Sequence, residues 1–212
     1  MLTIWLNCMV NMKKDASTEE KILAAAKKVF ISKGMAGARM QDIADEAGIN
    51  KALLHYYFKS KEQLFEKIFL ELSQRFWPQL NSIFESDEPL FEKIEHFCSV
   101  YIDKIRENPY IPLFVLYEMN QRPTQFIKKM FGGKVPKPAK LLAQMEADVK
   151  AGKIKPIQPH QLMMNMVSMC IFPFVAKPMI LTTLNLSESA FAALMEERKK
   201  AVPKFIIDSL RK

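Results

Sequence analysis

Apolar residues recur along this chain at the spacing of a single helix face, and alternation of period two is almost absent. In residues 17–33, "STEEKILAAAKKVFISK", the positions Ile22, Ala25, Ala26, Val29 and Phe30 follow i, i+3, i+4, i+7 and i+8. Ser17 or Thr18 followed by Glu19 and Glu20 predicts a capped start, and Gly34 predicts the stop. A shorter helix follows in "MQDIADEAG", residues 40–48, with Met40, Ile43, Ala44 and Ala47 on one side and Gly48 closing it. Asn50, a competent N-cap, opens "KALLHYYF". Ser60 opens "SKEQLFEKIFLELSQRFW", where Leu64, Phe65, Ile68, Phe69 and Leu72 share a face until Pro78 sets a limit.

Farther on the helical segments lengthen and grow rich in Phe and Met. Residues 90–107, 112–120, 123–130, 138–151, 161–184 and 187–210 all read as helices, punctuated by Pro109, Pro112, Pro123, Pro136, Pro138, Pro156 and Pro159. The predicted fold class is therefore all-α. It divides into an N-terminal extension (1–16), a three-helix helix-turn-helix head (17–62), and a larger C-terminal helical body (63–212).

The stretch "HYYFKSKEQLF" places three aromatic rings in succession, which one helix face cannot bury because neighbouring residues point about 100° apart. Leu54 and Phe58 are four apart and form the inward face. Lys51, Ala52, His55 and Tyr56 then project outward, Lys59 and Lys61 follow, and no acidic residue occurs between Asn50 and Lys61. That acid-free surface is what a phosphate backbone selects. Ala52 is small enough to approach a groove floor and touch a thymine methyl group, and Lys51 has the length for a phosphate or a guanine edge. Lys61 sits in the first turn of the next helix, where an incoming phosphate would meet both its charge and free N–H groups. Tyr57 stands between core and outer face.

The run "GARMQDIADEAGINKALLHYYFKSKEQLF" closely resembles the DNA-binding signature of TetR-family (tetracycline-repressor-like) transcriptional regulators, and the resemblance covers roughly residues 18–72. It implies a homodimer on a double-stranded DNA operator with two half-sites, and a small-molecule effector in the body that weakens DNA binding. By the same resemblance Lys51, Ala52, His55, Tyr56 and Lys61 fall at operator-contact positions, and Tyr57 at an occasional one. Three departures from the family pattern mark this chain. Leu53 stands where Thr is frequent, His55 where Tyr is common, and Arg39 where Ser or Thr caps the bracing helix. Arg39 is a poor cap but has the reach for a phosphate, so Arg39 and Leu53 join the candidate DNA-binding set.

Net charge adds little to this picture. The chain carries +8 overall, divided as +3 over residues 1–75 and +5 over the remainder, so the DNA reading rests on local arrangement. The cysteines Cys8, Cys98 and Cys170 lie far apart, with no CxxC or Cys/His ligand spacing, which points to a reducing, cytoplasmic setting and no metal site. The start "MLTIWLNCMVNMKK" is apolar before its lysines, the reverse of a signal peptide, and residues 1–16 read as an extension, disordered or from a start-site choice, rather than a functional arm. The apolar run 162–184 is interrupted by Pro173, Lys177 and Pro178 and reads as a buried helix, not a membrane span.

Within that run, "LMMNMVSMCIFPFV" is apolar nearly all round and must be covered on both sides. The last helix, with Phe191, Leu194, Val202, Phe205, Ile206 and Leu210, would complete a dimer interface made by the last two long helices; burial in the core alone is the competing reading. Phe97, Tyr101, Phe114, Tyr117, Met119, Met163, Met166 and Phe172 are the candidate walls of an apolar effector pocket, against the same competitor. His96 and His160 carry no ligand role. A Gly-rich phosphate loop, HExxH, GxSxG and a paired-carboxylate cluster are all missing, which argues against an enzyme, and no cofactor is implied. The sequence thus describes a ligand-responsive, DNA-binding transcriptional repressor; the alternative is a helical ligand-binding or adaptor protein without sequence-specific DNA binding.

Overall fold

The computed structural model describes the backbone of residues 2–133 and 138–212, and the side chains from Ser17 onward within those ranges. The expectation for 1–16 as an extension concerns side chains outside the described residues. Described residues form helices and connecting turns, with no strand: α1 Leu2–Gly37, α2 Met40–Ala47, α3 Lys51–Tyr57, α4 Lys61–Glu85, α5 Leu90–Glu107, α6 Ile111–Gln121, α7 Pro123–Met130, α8 Ala139–Lys150, α9 Pro159–Val175, α10 Lys177–Thr183 and α11 Glu188–Leu210. The fold class is all-α, as the periodicity predicts. Two compact units divide between Leu72 and Ser73.

In the head, the predicted cap at Ser17 or Thr18 does not form, because α1 continues N-terminal to them. A capping residue acts only where the chain leaves helical geometry, and no Gly or Pro precedes these two to make it do so. Gly34 does break the helix, at φ 66° and ψ 172°, a conformation that a Cβ would strain. α2 packs on α1 through the fully buried Ile43 and Ala44. It ends at Gly48 (φ 65°), where the Ile49 N–H reaches the Ala44 carbonyl at 3.0 Å and the Gly48 N–H reaches Asp45 at 3.1 Å. Asn50 caps α3 as predicted, its Oδ1 accepting the Leu53 N–H at 2.7 Å. At the start of α4 the Ser60 hydroxyl accepts the Gln63 N–H at 3.3 Å, while the Gln63 side chain returns to the Lys59 N–H at 3.1 Å.

The head's core is the predicted one. Ile22, Ala26, Phe30, Leu54, Leu64, Phe65 and Ile68 are fully enclosed, and Phe30 meets Phe65 edge to face at 4.9 Å. Pro78 does not limit α4, which runs on to Glu85. Pro78 and Gln74, four residues back, are both exposed, so water replaces the hydrogen bond that proline cannot donate.

The body is organised on α5, which packs against α8, α9 and α11. Ile94, Phe97, Cys98 and Ile102 from α5 join Leu141, Met145, Met166, Cys170, Met195 and Ile206 in one core. Lys93 is 2 % exposed and donates to the Phe84 carbonyl near the end of α4 at 3.2 Å, and burial pushes its ammonium below the usual lysine range. Cys98 and Cys170 are buried free thiols, and a hydrogen bond to Cys170 together with burial pushes Cys98 up. The predicted helix 161–184 is two helices, α9 and α10, bent by 71° at Ala176, with Pro178 in the first turn of the second. Among the described residues no single helix is long and apolar enough to cross a membrane.

Because Leu54 is the fully buried residue of α3, Leu54→Ala should cost the head about 2–5 kcal/mol. Tyr56→Ala, at a position 73 % exposed, should change stability by less than about 0.5 kcal/mol. Urea unfolding followed by helix circular dichroism distinguishes the two, and equal losses would contradict the assignment of faces.

Candidate nucleic-acid interface

The seven residues of α3 divide as their spacing requires. Leu54 is 0 % and the capping Phe58 is 7 % exposed, while Lys51, Ala52, Leu53 and Tyr56 face solvent and His55 is half-buried. Tyr57 is also half-buried, with its ring edge to face against Tyr56 at 5.4 Å. It supports the exposed ring rather than belonging wholly to core or surface. Four other lysines of the head are paired, Lys27 with Glu71, Lys28 with Glu46, Lys33 with Asp42 and Lys67 with Glu19. Among the described residues, no hydrogen bond or ion pair engages the ammonium of Lys51 or Lys59, or the guanidinium of Arg39. The cations left without partners therefore include those on and around the acid-free helix, where a polyanion would find them.

Arg39 is the N-cap of α2 in an extended conformation, and its side chain makes no capping bond. Asp42 compensates from the first turn, its Oδ2 accepting the Arg39 N–H at 3.1 Å while its Oδ1 takes the Lys33 ammonium at 2.9 Å. The Lys33 hydrogen bond, aided by the Arg39 N–H, holds the Asp42 carboxyl below the usual aspartate range against a smaller opposing effect of desolvation. Asp42 was absent from the candidate set. Its signal is an acid at the third position of a helix whose N-cap lacks an acceptor.

Lys61 is placed differently from the other candidates. Its ammonium turns back to the end of α1 and donates to the carbonyls of Met35 at 2.9 Å, Ala38 at 3.2 Å and Ala36 at 3.5 Å. The head thus brings together Arg39, Lys51, Ala52, Leu53, His55, Tyr56 and Tyr57 on and before α3, with Lys61 engaged beside them.

The eight candidate pocket residues do not gather in one place. Phe97, Tyr101 and Met166 lie in the body's core, with the Phe97 and Tyr101 rings 5.3 Å apart. Phe114 is buried against Phe126 at 5.9 Å, Met163 is half-buried, and Tyr117, Met119 and Phe172 are exposed. A cavity of about 490 Å³ lies instead at the C-terminal end of α5, floored by Phe174, Phe191 and Met195 and rimmed by Arg106 and Lys177. Among the described residues no cluster of His, Cys, Asp and Glu forms a metal site.

A short helix braced by its neighbour, capped at both ends and presenting an acid-free outer face, is the geometry of a helix-turn-helix DNA reader. The chain is a DNA-binding transcriptional regulator. Residues 22–68, the core of the head, match the family described as "Bacterial regulatory proteins, tetR family", which supports a TetR-family regulator. It is 27% identical over 147 residues to the HTH-type transcriptional regulator RutR of Escherichia coli, a match covering 69% of each chain. It is 28% identical over 121 residues to the HTH-type transcriptional repressor KstR2 of Mycolicibacterium smegmatis, covering 50% of this chain and 59% of that one. Among solved structures it shares its fold with the transcriptional regulator FadR of Bacillus subtilis, determined in complex with stearoyl-CoA. The TM-score there is 0.58 at 16% identity, covering 90% of this chain and 98% of that one. The family is regulatory rather than enzymatic.

Lys51→Ala should lower the salt slope of DNA binding, d log Kobs/d log[salt], by about 0.9 in magnitude, the value for one phosphate contact; an unchanged slope would remove Lys51 from the backbone-contacting set. Asp42 supplies a pH signature. A carboxyl whose folded-state pKa lies below its ordinary 3.8 contributes stability that is present above that value and lost as pH falls through the folded pKa. The stability deficit of Asp42→Asn should therefore be constant near neutrality and shrink only below about pH 3.8. Thermal unfolding at stepped pH measures it, and a deficit unchanged down to pH 2 would refute the assignment.

Proposed function

We propose that this chain represses transcription by binding a palindromic operator as a homodimer, and that a small apolar effector releases it. The observation that carries the DNA half is the outer face of α3, acid-free and bearing the unpaired Lys51 beside the exposed Ala52, Leu53 and Tyr56. In this reading Lys51 and Arg39 contact phosphates or a guanine edge, Ala52 and Leu53 meet thymine methyl groups, and His55, Tyr56 and Tyr57 pack on or hydrogen-bond to the backbone. The free thiols Cys98 and Cys170 agree with a reducing cytoplasm, where the DNA is.

Dimerisation is supported by apolar surface that the single chain leaves uncovered. On α9, Met164 is 53 % and Phe172 54 % exposed, and on α11 Leu194 is 39 % and Phe205 64 % exposed. Met164, Ser168 and Phe172 are spaced by four, and Leu194, Ala201 and Phe205 by seven and four, so each helix presents a stripe that a symmetric second copy would bury. The effector is supported by the body's aromatic run. Phe84, Phe97, Tyr101, Phe76, Trp77 and Phe131 follow one another at 4.8–5.4 Å, and among the described residues the buried Trp77 indole N–H meets no acceptor. A mostly apolar ligand with one oxygen acceptor satisfies both features.

Selection of binding sites from fragmented genomic DNA by the purified protein tests the central reading. Recovery of a two-fold symmetric sequence whose affinity falls steeply with salt is the expected result, and recovery of none would leave the adaptor alternative. Phe205→Glu should shift the sedimenting species from dimer to monomer and abolish operator binding with it. A variant still dimeric would place the interface elsewhere.

A further inference from the structure

We infer that Lys61 is a positioning residue that presents Arg39 to DNA, rather than a ligand of phosphate itself. The inference rests on the operator-binding reading above and concerns how its backbone-contacting set is built.

A helix end leaves its last carbonyls without intrahelical partners. At the end of α1 the Ala38 N–H satisfies Gly34 at 3.1 Å, but Met35 and Ala36 lie beyond the Gly34 break. Lys61 supplies them, with bonds of 2.9 Å and 3.5 Å, and its third proton goes to Ala38 at 3.2 Å. An ammonium has three donors, and all three are engaged. Charge favours the same arrangement. A cation in the first turn of α4 is disfavoured by that helix's own dipole, whereas the carbonyl end of α1 attracts it. Moving Lys61 to a phosphate would exchange these bonds for one solvent-screened contact and leave the carbonyl of Ala38, a residue only 2 % exposed, without this donor.

The bond to Ala38 has a specific address. The Ala38 carbonyl and the Arg39 N–H are opposite edges of one peptide plane. Lys61 holds the first edge from α4, and Asp42 holds the second from α2 at 3.1 Å. Asp42 is in turn held by Lys33 from α1 at 2.9 Å. The peptide leading into Arg39 is thus fixed by Lys61 and Asp42, the latter held by Lys33, while among the described residues no hydrogen bond or ion pair engages the Arg39 guanidinium. The backbone is set and the charge left available, as a preorganised anion contact requires.

The test uses the full chain and a duplex selected from a random-sequence library by the wild-type protein. Lys61→Met keeps the length and removes every donor, Lys61→Gln removes the charge but keeps two donors, and each is paired with Arg39→Ala. Lys61→Met should weaken binding about tenfold, with a salt slope no lower than that of Arg39→Ala. Lys61→Gln should recover most of that affinity, and neither change should matter further once Arg39 is Ala. In the DNA-free protein, the Arg39 amide resonance should shift and exchange faster with solvent in Lys61→Met. A slope that falls by about a further 0.9 when either Lys61 variant is added to Arg39→Ala would identify a direct phosphate contact and overturn the inference. So would fully additive losses with Arg39→Ala, or an Arg39 amide indifferent to Lys61→Met. Should Met unfold the head, Gln decides by the same slope and amide criteria. If the wild-type chain selects no sequence, the operator reading falls, whereas a change at the Arg39 amide would still show the clamp.

Discussion

Burial of Leu54 is the constraint on which the functional surface depends. A helix of seven residues is far below the length that is stable alone in water, so α3 exists because its neighbours hold it. Leu54 and the capping Phe58 are the buried points of that hold, and the Asn50 cap and the Gly48 turn fix where the helix begins. Once Leu54 points inward, the positions of Lys51, Ala52, Leu53 and Tyr56 follow from helical geometry. The exposed aromatic ring and the unpaired ammonium are therefore consequences of core packing in the head. Their chemistry is polar, but their placement is hydrophobic in origin.

The two units solve different problems. The head pairs its structural lysines with acids and leaves others bare, so a modest net charge is converted into a localised one. The body contains a continuous core around α5, with Lys93 buried to satisfy a carbonyl near the end of α4. It also leaves Phe172 and Phe205 uncovered, an arrangement that agrees with a surface intended for a partner.

Much of this was legible in the order of residues. The period of Ile22, Ala25, Ala26, Val29 and Phe30 marks the buried face of α1, and the Asn50 cap and inward Leu54 follow from local rules that tertiary context reinforces. What escaped the sequence depends on distant groups. Pro78 looked like a limit, and only its exposure shows why α4 passes through it. The bend at Ala176 is followed directly by Lys177 and Pro178, a break signal that the apolar run on either side of it masks. Lys61 belongs to a motif that places it near phosphate, yet its partners are carbonyls 23 to 26 residues earlier in the chain, which no spacing rule connects. The eight aromatic and methionine candidates failed to converge for a related reason: core and pocket walls use the same residues.

The fixed peptide before Arg39 has a kinetic meaning. Lys51 and Lys59 carry long exposed stems that no described hydrogen bond or ion pair fixes, whereas the peptide at Arg39 is held by Lys61 and Asp42. Ordering completed in advance does not slow the first encounter, which long-range charge governs, and it removes one route by which a bound complex loosens. In the proposed operator-binding reading, the rigid part of this surface bears chiefly on how long the protein stays on DNA, and the long lysine side chains on how quickly it arrives.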